Sequence, residues 1–206
     1  MLTMSCLSAG RRTRVPAAFT LVEALVSISL TAIAASVLLL GIHSSLQTTD
    51  EALEQTIAAG MAEQLLDEIL GARYHALGFD GYQITFSPSS YEQAGSGRER
   101  YDDIDDYDNL NNRPPEDLWG IELGTEDGEG GRRHVNFRVP AGFLAGWRQE
   151  VDVSYVAEAD LTSPLPFGQV SDYRAVEVRV FRVDPQRGSR ELAKLRRVVA
   201  YVPPVP

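Results

Sequence analysis

Residues 24 to 42 form an apolar segment without a single charged side chain. A helix over these residues rises about 28 Å at about 1.5 Å per residue, close to the roughly 30 Å hydrocarbon core of a bilayer. Polar residues follow from Ser44 to Thr49, as expected where a helix leaves the membrane. No small-residue cleavage site follows a short apolar core, so the segment predicts a membrane-spanning helix rather than a cleaved secretory signal.

The charges around this segment predict its orientation. Arg11, Arg12 and Arg14 precede it, and basic residues stay on the cytoplasmic side of a membrane. We therefore expect a single-pass inner-membrane protein with a cytoplasmic N-terminus and a periplasmic or extracellular remainder. The formal net charge of -10 argues against a nucleic-acid partner. Cys6 is the only cysteine, so a disulfide framework is excluded.

Glu23 lies at the leading edge of the apolar segment. A carboxylate in the middle of a bilayer costs about 2.5–3.5 kcal/mol by insertion scales, and less toward the edge. Position alone leaves two interpretations open. Glu23 either reaches the cytoplasmic interface without a further role, or it has a specific partner.

The residues from Ala18 to Glu23, Ala-Phe-Thr-Leu-Val-Glu, resemble the cleavage and methylation signal of type IV pilins and type II secretion pseudopilins. The resemblance implies that a prepilin peptidase cuts between Ala18 and Phe19 and that Phe19 is then N-methylated. Glu23 becomes the fifth residue of the mature chain. The sequence departs from the family at Ala18, where glycine is usual. The implied partners are the peptidase, membrane lipid before assembly, other pilins in a filament and an inner-membrane assembly platform.

This processing gives Glu23 a partner. The free α-amine of Phe19 has a reference pKa of about 8 and stays cationic when methylated. It lies at a helix N-terminus, where the helix dipole disfavours positive charge. In a filament, the Glu23 carboxylate of one subunit can pair with the Phe19 amine of a neighbour. Desolvation offsets much of the attraction, so the pair mainly sets the register between subunits.

An amphipathic pattern follows from Asp50 to Tyr74 and predicts that the helix continues. No proline lies between residues 17 and 87, so one helix from Phe19 to Ala72 is expected, with Gly71 and Gly78 ending it. The apolar residues expected to face a core recur every four positions: Leu53, Ile57, Met61, Leu65 and Ile69.

Later segments alternate apolar and polar residues, which predicts strands. The expected strands are residues 81–86, 134–139, 149–156, 173–183 and 190–202, with a turn at 184–189. The predicted fold class is α+β, in which an antiparallel sheet of about four to six strands packs on the amphipathic helix half, as in a pilin-like roll. The expected organisation is a leader (1–18), a membrane or filament-core helix (19–43), an amphipathic half (44–74) and a β-rich head (75–206) with an acidic insertion (87–132).

The acidic insertion has its densest charge at Tyr101 to Asn109. Its carboxylates are Asp102, Asp103, Asp105, Asp106 and Asp108. Hard cations bind several such oxygens, which makes calcium one hypothesis, although the EF-hand spacing fails. The other hypothesis is a solvated acidic loop that hinders association. The string and the helix segment 62–70 resemble minor pilins of the type IV pilus modification and mannose-sensitive-haemagglutinin biogenesis groups.

The expected function is therefore a minor pilin or pseudopilin, a non-enzymatic filament subunit with a tip or priming role. Enzyme motifs are lacking: His43, His75 and His134 are scattered, and there is no phosphate-binding glycine loop or nucleophile elbow. The alternative is a stand-alone membrane-anchored binding protein in which Glu23 has no assembly role.

Overall fold

The computed structural model describes residues 20–125, 134–186 and 188–203. The secondary-structure elements are α1 (Leu21–Leu70), β1 (Asn111–Asn112), β2 (Trp147–Ala157), β3 (Asp160–Pro164), β4 (Tyr173–Asp184) and β5 (Gly188–Ala200). Short 3-10 turns lie at Glu92–Ala94, Asp105–Tyr107 and Val135–Phe137. The chain divides into two compact units within α1, between Asp50 and Glu51. We call the second, Glu51–Pro206, the head unit.

Within the head unit, α1 buries one face. The buried residues are Ala58, Met61, Ala62, Leu65, Leu66 and Ile69. The four-residue spacing thus predicted Met61, Leu65 and Ile69 correctly. The prediction that Leu53 faces the core is wrong, because its side chain is 55 % exposed. The helix ends close to the expected place: the Gly71 amide bonds to the carbonyls of Asp67 and Glu68. The expected start at Phe19 lies outside the described residues.

The head unit contains a five-stranded antiparallel sheet with the order β1-β2-β4-β5, and β3 pairs with β2. The expected strands 149–156, 173–183 and 190–202 correspond to β2, β4 and β5. The α+β class and the strand number are therefore confirmed. β1 and β3, which lack apolar alternation, were not predicted.

Two expected strands are wrong. Residues 134–139 contain the 3-10 turn Val135–Phe137 instead, and both of these side chains are largely exposed, so their alternation marks no buried face. Residues 81–86 form no strand. The carbonyl of Gly81 accepts hydrogen bonds from the side chains of Arg174 and Tyr155 rather than from a strand.

The two faces of the sheet differ in chemistry. One face packs with α1 around Trp147, Val151, Val176, Val178 and Val180, all buried. The other face carries two neighbouring rows of charged residues that follow from the strand register. These rows are Glu150, Arg179 and Lys194, and next to them Asp152, Glu177 and Arg196. One pair of like charges lies directly opposite in each row, and opposite charges also meet diagonally, as Arg179 does with Asp152 and Lys194 with Glu177. These opposite-charge contacts stabilise the sheet face modestly.

Candidate functional site

Glu23 lies in the first turn of α1 and is exposed. Its amide donates to Thr20 Oγ1 at 3.3 Å, and Thr20 Oγ1 donates to Glu23 Oε2 at 3.4 Å. The first contact is the N-cap half of a capping box, whereas the second differs from that motif because the carboxylate accepts the Thr20 hydroxyl rather than the Thr20 amide. The Thr20-x-x-Glu23 spacing was the signal for it in the sequence, and it was missed. Ala18 and Phe19 lie outside the described residues, so cleavage and methylation there stay predictions.

The first half of α1 is a candidate membrane-spanning helix. An apolar window within it reaches a mean hydropathy of 2.4, and none of that window is buried. Ser27, Ser29, Thr31 and Ser36 each donate their hydroxyl to the carbonyl four residues earlier, at 2.8 Å. These hydroxyls are therefore satisfied within the helix, which lowers the cost of placing the segment in lipid.

The acidic string is folded into the head unit. Asp103, Asp105 and Asp106 are 2–4 % exposed, so the hypothesis of a solvated loop is wrong for these three. Asp103 Oδ1 accepts the amides of Asp105 and Asp106, and Asp106 Oδ2 accepts those of Asp102 and Asp103. The carboxylates thus cap the backbone of their own turn, as acidic side chains do where amides lack partners.

Two further carboxylates tie the string to distant segments. Asp108 Oδ1 accepts a hydrogen bond from the amide of Val153 in β2 at 2.8 Å, and it thereby takes the place of a backbone carbonyl of a neighbouring strand. Asp102 pairs with Arg73, just after α1, at 2.6 Å. The string therefore joins the end of the helix to one edge of the sheet.

A buried arginine anchors this arrangement. Arg174 in β4 is fully buried and pairs with Asp105 at 3.0 Å. Its guanidinium also donates to the carbonyls of Tyr74 and Gly81 and to the hydroxyl of Tyr155. The rings of Tyr74, Phe86 and Tyr155 lie against it at 4.3–5.2 Å. No sequence motif marks this residue, since its partners are far away in the chain.

Burial changes the acidity of the string. Burial, followed by the hydrogen bond and charge of Asp105, raises the pKa of Asp103 to about 8. Burial also raises the pKa of Asp106, to about 6, against hydrogen bonds from the amides of Asp102 and Asp103. The pKa of Asp108 is raised by burial as well. The Asp103 carboxyl therefore keeps its proton near neutral pH.

Only one group of acidic side chains among the described residues is arranged to hold a metal ion. Glu92, Asp102 and Asp106 each offer an oxygen, and these oxygens lie within 4.8 Å of one another. This arrangement narrows the hypothesis of a calcium site formed by all five aspartates of the string, because Asp103, Asp105 and Asp108 are not in this group. Glu92, ten positions before the first aspartate of the string at Asp102, had no sequence signal. Oxygen ligands of this kind suit Ca²⁺.

A groove of about 430 Å³ lies beside β2. Its walls include Phe86, Asp108, Ser154 and Phe167, and Phe167 is 87 % exposed. Its lining contains no histidine, cysteine or lysine.

Comparison of the chain with protein-family models, with curated proteins and with solved structures finds no match.

Proposed function

We propose that this chain is a minor pilin or pseudopilin, a structural subunit of a type IV pilus or type II secretion pseudopilus. The observation that carries the proposal is the first half of α1, an exposed apolar helix that begins with a carboxylate. Such a surface needs lipid or other apolar helices around it, and Glu23 needs a cation once water is excluded. A filament core of packed helices with free amino ends supplies both.

In the proposed sequence of events, prepilin peptidase removes residues 1–18 and Phe19 is methylated. Glu23 then exchanges the weak hydrogen bond from Thr20 for the cationic amine of a neighbouring subunit. A subunit in the wrong register leaves both charges unpaired in an apolar core, which costs about 3–5 kcal/mol. The pair therefore selects the correct register more than it adds stability.

The proposed location follows from this assembly. The unassembled subunit spans the inner membrane with its N-terminus in the cytoplasm, and the assembly platform transfers it into the filament. We propose a low-copy role at the tip or in priming, because residues 87–125 of the insertion are folded and add bulk that dense packing must accommodate. Antibody labelling concentrated at filament ends would agree with this role, whereas even labelling along the filament would contradict it.

Cleavage by prepilin peptidase tests whether the chain belongs to the proposed family. The full chain is co-expressed with a prepilin peptidase or with its inactive variant, and the intact mass is measured. We expect loss of the first 18 residues and a methyl group on Phe19 only with the active enzyme. Ala18→Gly restores the usual residue before the cut and is expected to speed processing. An unshortened chain beside a normally cut control prepilin would instead favour the stand-alone anchored protein.

Glu23 is tested separately by assembly. Glu23→Ala and Glu23→Gln are expected to leave membrane insertion intact and to lower incorporation into filaments by more than about tenfold, because the neighbouring amine loses its anion. Thr20→Val removes the capping hydroxyl but keeps the carboxylate, and it serves as the control for helix capping alone. Normal incorporation of Glu23→Gln would contradict the charge pair.

A further inference from the structure

The strand β5 ends the sheet. Among the described residues it pairs with β4 on one side and with no strand on the other. Its 13 residues span about 40 Å at about 3.3 Å per residue. An edge of this length presents a row of backbone donors and acceptors that can pair with another chain.

The backbone groups that face outward can be derived from the other edge of the sheet. In β2, the amides of Val151 and Val153 donate to the carbonyl of Leu110 and the carboxylate of Asp108, both outside β4. Odd-numbered residues of β2 therefore direct their backbone groups away from β4. Because these directions alternate along an antiparallel strand, the even-numbered residues bond to β4.

The same alternation continues across β4 to β5. Val176 and Val178 lie opposite Val153 and Val151, so they direct their backbone groups toward β5 and bond to Arg197 and Leu195. The next residues along β5 then face outward. We call this row of backbone groups the free edge of β5, and it consists of Lys194, Arg196 and Val198. A side-chain contact agrees with the derivation: Arg197 Nη1 donates to the carbonyl of Arg196 at 3.1 Å.

Charged side chains often protect such edges from pairing, and β5 is basic. Most of these charges, however, are directed back over the protein. Lys194 pairs with Glu177 at 2.7 Å, and Arg190 pairs with Glu54 at 2.7 Å. Arg196 also donates back, to the carbonyl of Leu161 in β3. These three cations therefore leave the free edge open, and an added strand has to displace only Arg197 Nη1 from the carbonyl of Arg196.

Arg197 differs from the other cations. It is exposed and lies between Leu195 and Val199, which are half-buried on the core side of β5. An added strand would cover the two apolar side chains and place one of its own side chains opposite Arg197. A second copy of β5 is a poor occupant, because it would bring another set of mostly basic residues to the same edge.

We propose that the free edge of β5 receives an extended strand of a neighbouring subunit, with apolar residues opposite Leu195 and Val199 and a carboxylate opposite Arg197. Backbone hydrogen bonds hold the strand, and the charge pair sets its register. The identity of the partner as a subunit rests on the proposed function. The chemistry of the edge does not, since it follows from the register and contacts of the head unit.

The test uses the full chain in detergent and two peptides, Thr-Val-Thr-Glu-Thr-Val-Thr and the same peptide with lysine at its centre. Hydrogen exchange of the amides in residues 188–200 is followed as each peptide is titrated. We expect slower exchange at Lys194, Arg196 and Val198. The glutamate peptide is expected to bind about two- to fivefold more tightly, the range of cross-strand charge pairs.

Three variants test whether peptide binding depends on the free edge of β5 rather than on the fold as a whole. Arg197→Glu is expected to reverse the preference between the peptides. Val198→Pro removes an outward amide and is expected to abolish protection, while Val198→Thr keeps the amide and binds as the wild type does. Equal binding of both peptides, or protection elsewhere in the sheet, would overturn the proposal. Protection of β5 that grows with protein concentration alone would identify a second copy as the occupant and overturn it as well. Processing by the peptidase is independent of every one of these outcomes.

Discussion

Gly97 and Gly120 lie where two backbone segments of the acidic insertion meet. A Cβ atom on Gly97 would lie 2.1 Å from the amide nitrogen of Gly120, and one on Gly120 would lie 2.2 Å from the carbonyl oxygen of Ser96. Neither contact can be relieved by moving a side chain. Gly120 also has a φ of +76°, a conformation that glycine adopts without strain.

Gly97→Ala is therefore expected to lower the free energy of unfolding of the head by about 2 kcal/mol or more, since backbone must move. The measurement is chemical denaturation of the full chain in detergent, followed by tryptophan fluorescence. Gly60→Ala is the matched control. Gly60 is an exposed helical residue with nothing within 4 Å of an added Cβ, and alanine there is expected to add about 0.5–1 kcal/mol. Equal effects of the two substitutions would contradict the close approach.

At the scale of single residues, the sequence showed which side chains carry an unusual charge more readily than it showed which side chains are buried. Glu23 and the aspartates of the string were identifiable because their charge is unusual for its position. The burial of Asp105 was not predictable, because its partner Arg174 lies 69 positions later and carries no motif. Glu92 was missed for the same reason, since folding alone brings it to Asp102 and Asp106.

The acidic string gives the head a pH dependence with a definite sign. The pKa of Asp103 is about 8 in the folded chain, against an ordinary value of 3.8. The folded state therefore holds a proton that the unfolded state releases between these values, so its contribution to stability is complete below about pH 4 and is lost as the pH rises through about 8. Asp103→Asn keeps the acceptor for the amides of Asp105 and Asp106 and removes the titration.

We expect the melting temperature of Asp103→Asn to rise relative to that of the wild type as the pH is raised from 4 to 8. Asp160→Asn is a control that titrates in a different range. Hydrogen bonds from Thr162 and Ser163 lower the pKa of Asp160 below its ordinary value of 3.8, so the stability it provides is present above about pH 4 and is lost only at lower pH. The melting temperature of Asp160→Asn is therefore expected to stay parallel to that of the wild type from pH 4 to 8. Melting curves of Asp103→Asn and wild type that stay parallel over this range would show that Asp103 does not hold the proton.

The group Glu92, Asp102 and Asp106 makes calcium binding testable. Three protein ligands and water suit the weak calcium sites of extracellular modules, with dissociation constants of about 10⁻⁴–10⁻³ M. Millimolar Ca²⁺ is expected to raise the melting temperature because it binds the folded state alone, while Mg²⁺ has less effect since it gives up water reluctantly. Glu92→Gln is expected to remove the calcium effect, and Glu158→Gln, at an exposed carboxylate outside the group, is expected to retain it. An unchanged melting temperature in calcium would exclude the site.

At the scale of elements, periodicity was reliable where one face is buried. The helix within the head unit and the strands β2 and β4 follow their sequence patterns because each packs an apolar row into one core, and β5 adds a row that is interrupted by the exposed Arg197. The strand predicted at 134–139 is wrong because Val135 and Phe137 are exposed, so the alternation of apolar and polar residues there does not mark a buried face. β3 depends instead on a local turn, in which Asp160 accepts the amides of Thr162 and Ser163.

For the whole molecule, the sequence predicted an apolar helix followed by a helix-and-sheet unit, and both are present. It did not predict how the acidic insertion is used. Segments that join distant parts of a chain depend on contacts between residues far apart in sequence, and local patterns carry little information about them. The described part of the insertion, residues 87–125, is folded because its carboxylates accept hydrogen bonds from backbone amides and pair with an arginine, rather than because its own residues favour a regular element.

The contacts of Arg174 also have a consequence for biosynthesis. Ribosomes deliver a chain from its N-terminus, so Tyr74, Gly81 and Asp105 all emerge before the guanidinium that holds them together. Until β4 has been translated, Asp105 has no cation to pair with, and the acidic turn stays accessible to chaperones and proteases. A nascent chain stalled before residue 174 should therefore be cut within this turn, whereas the finished protein should resist.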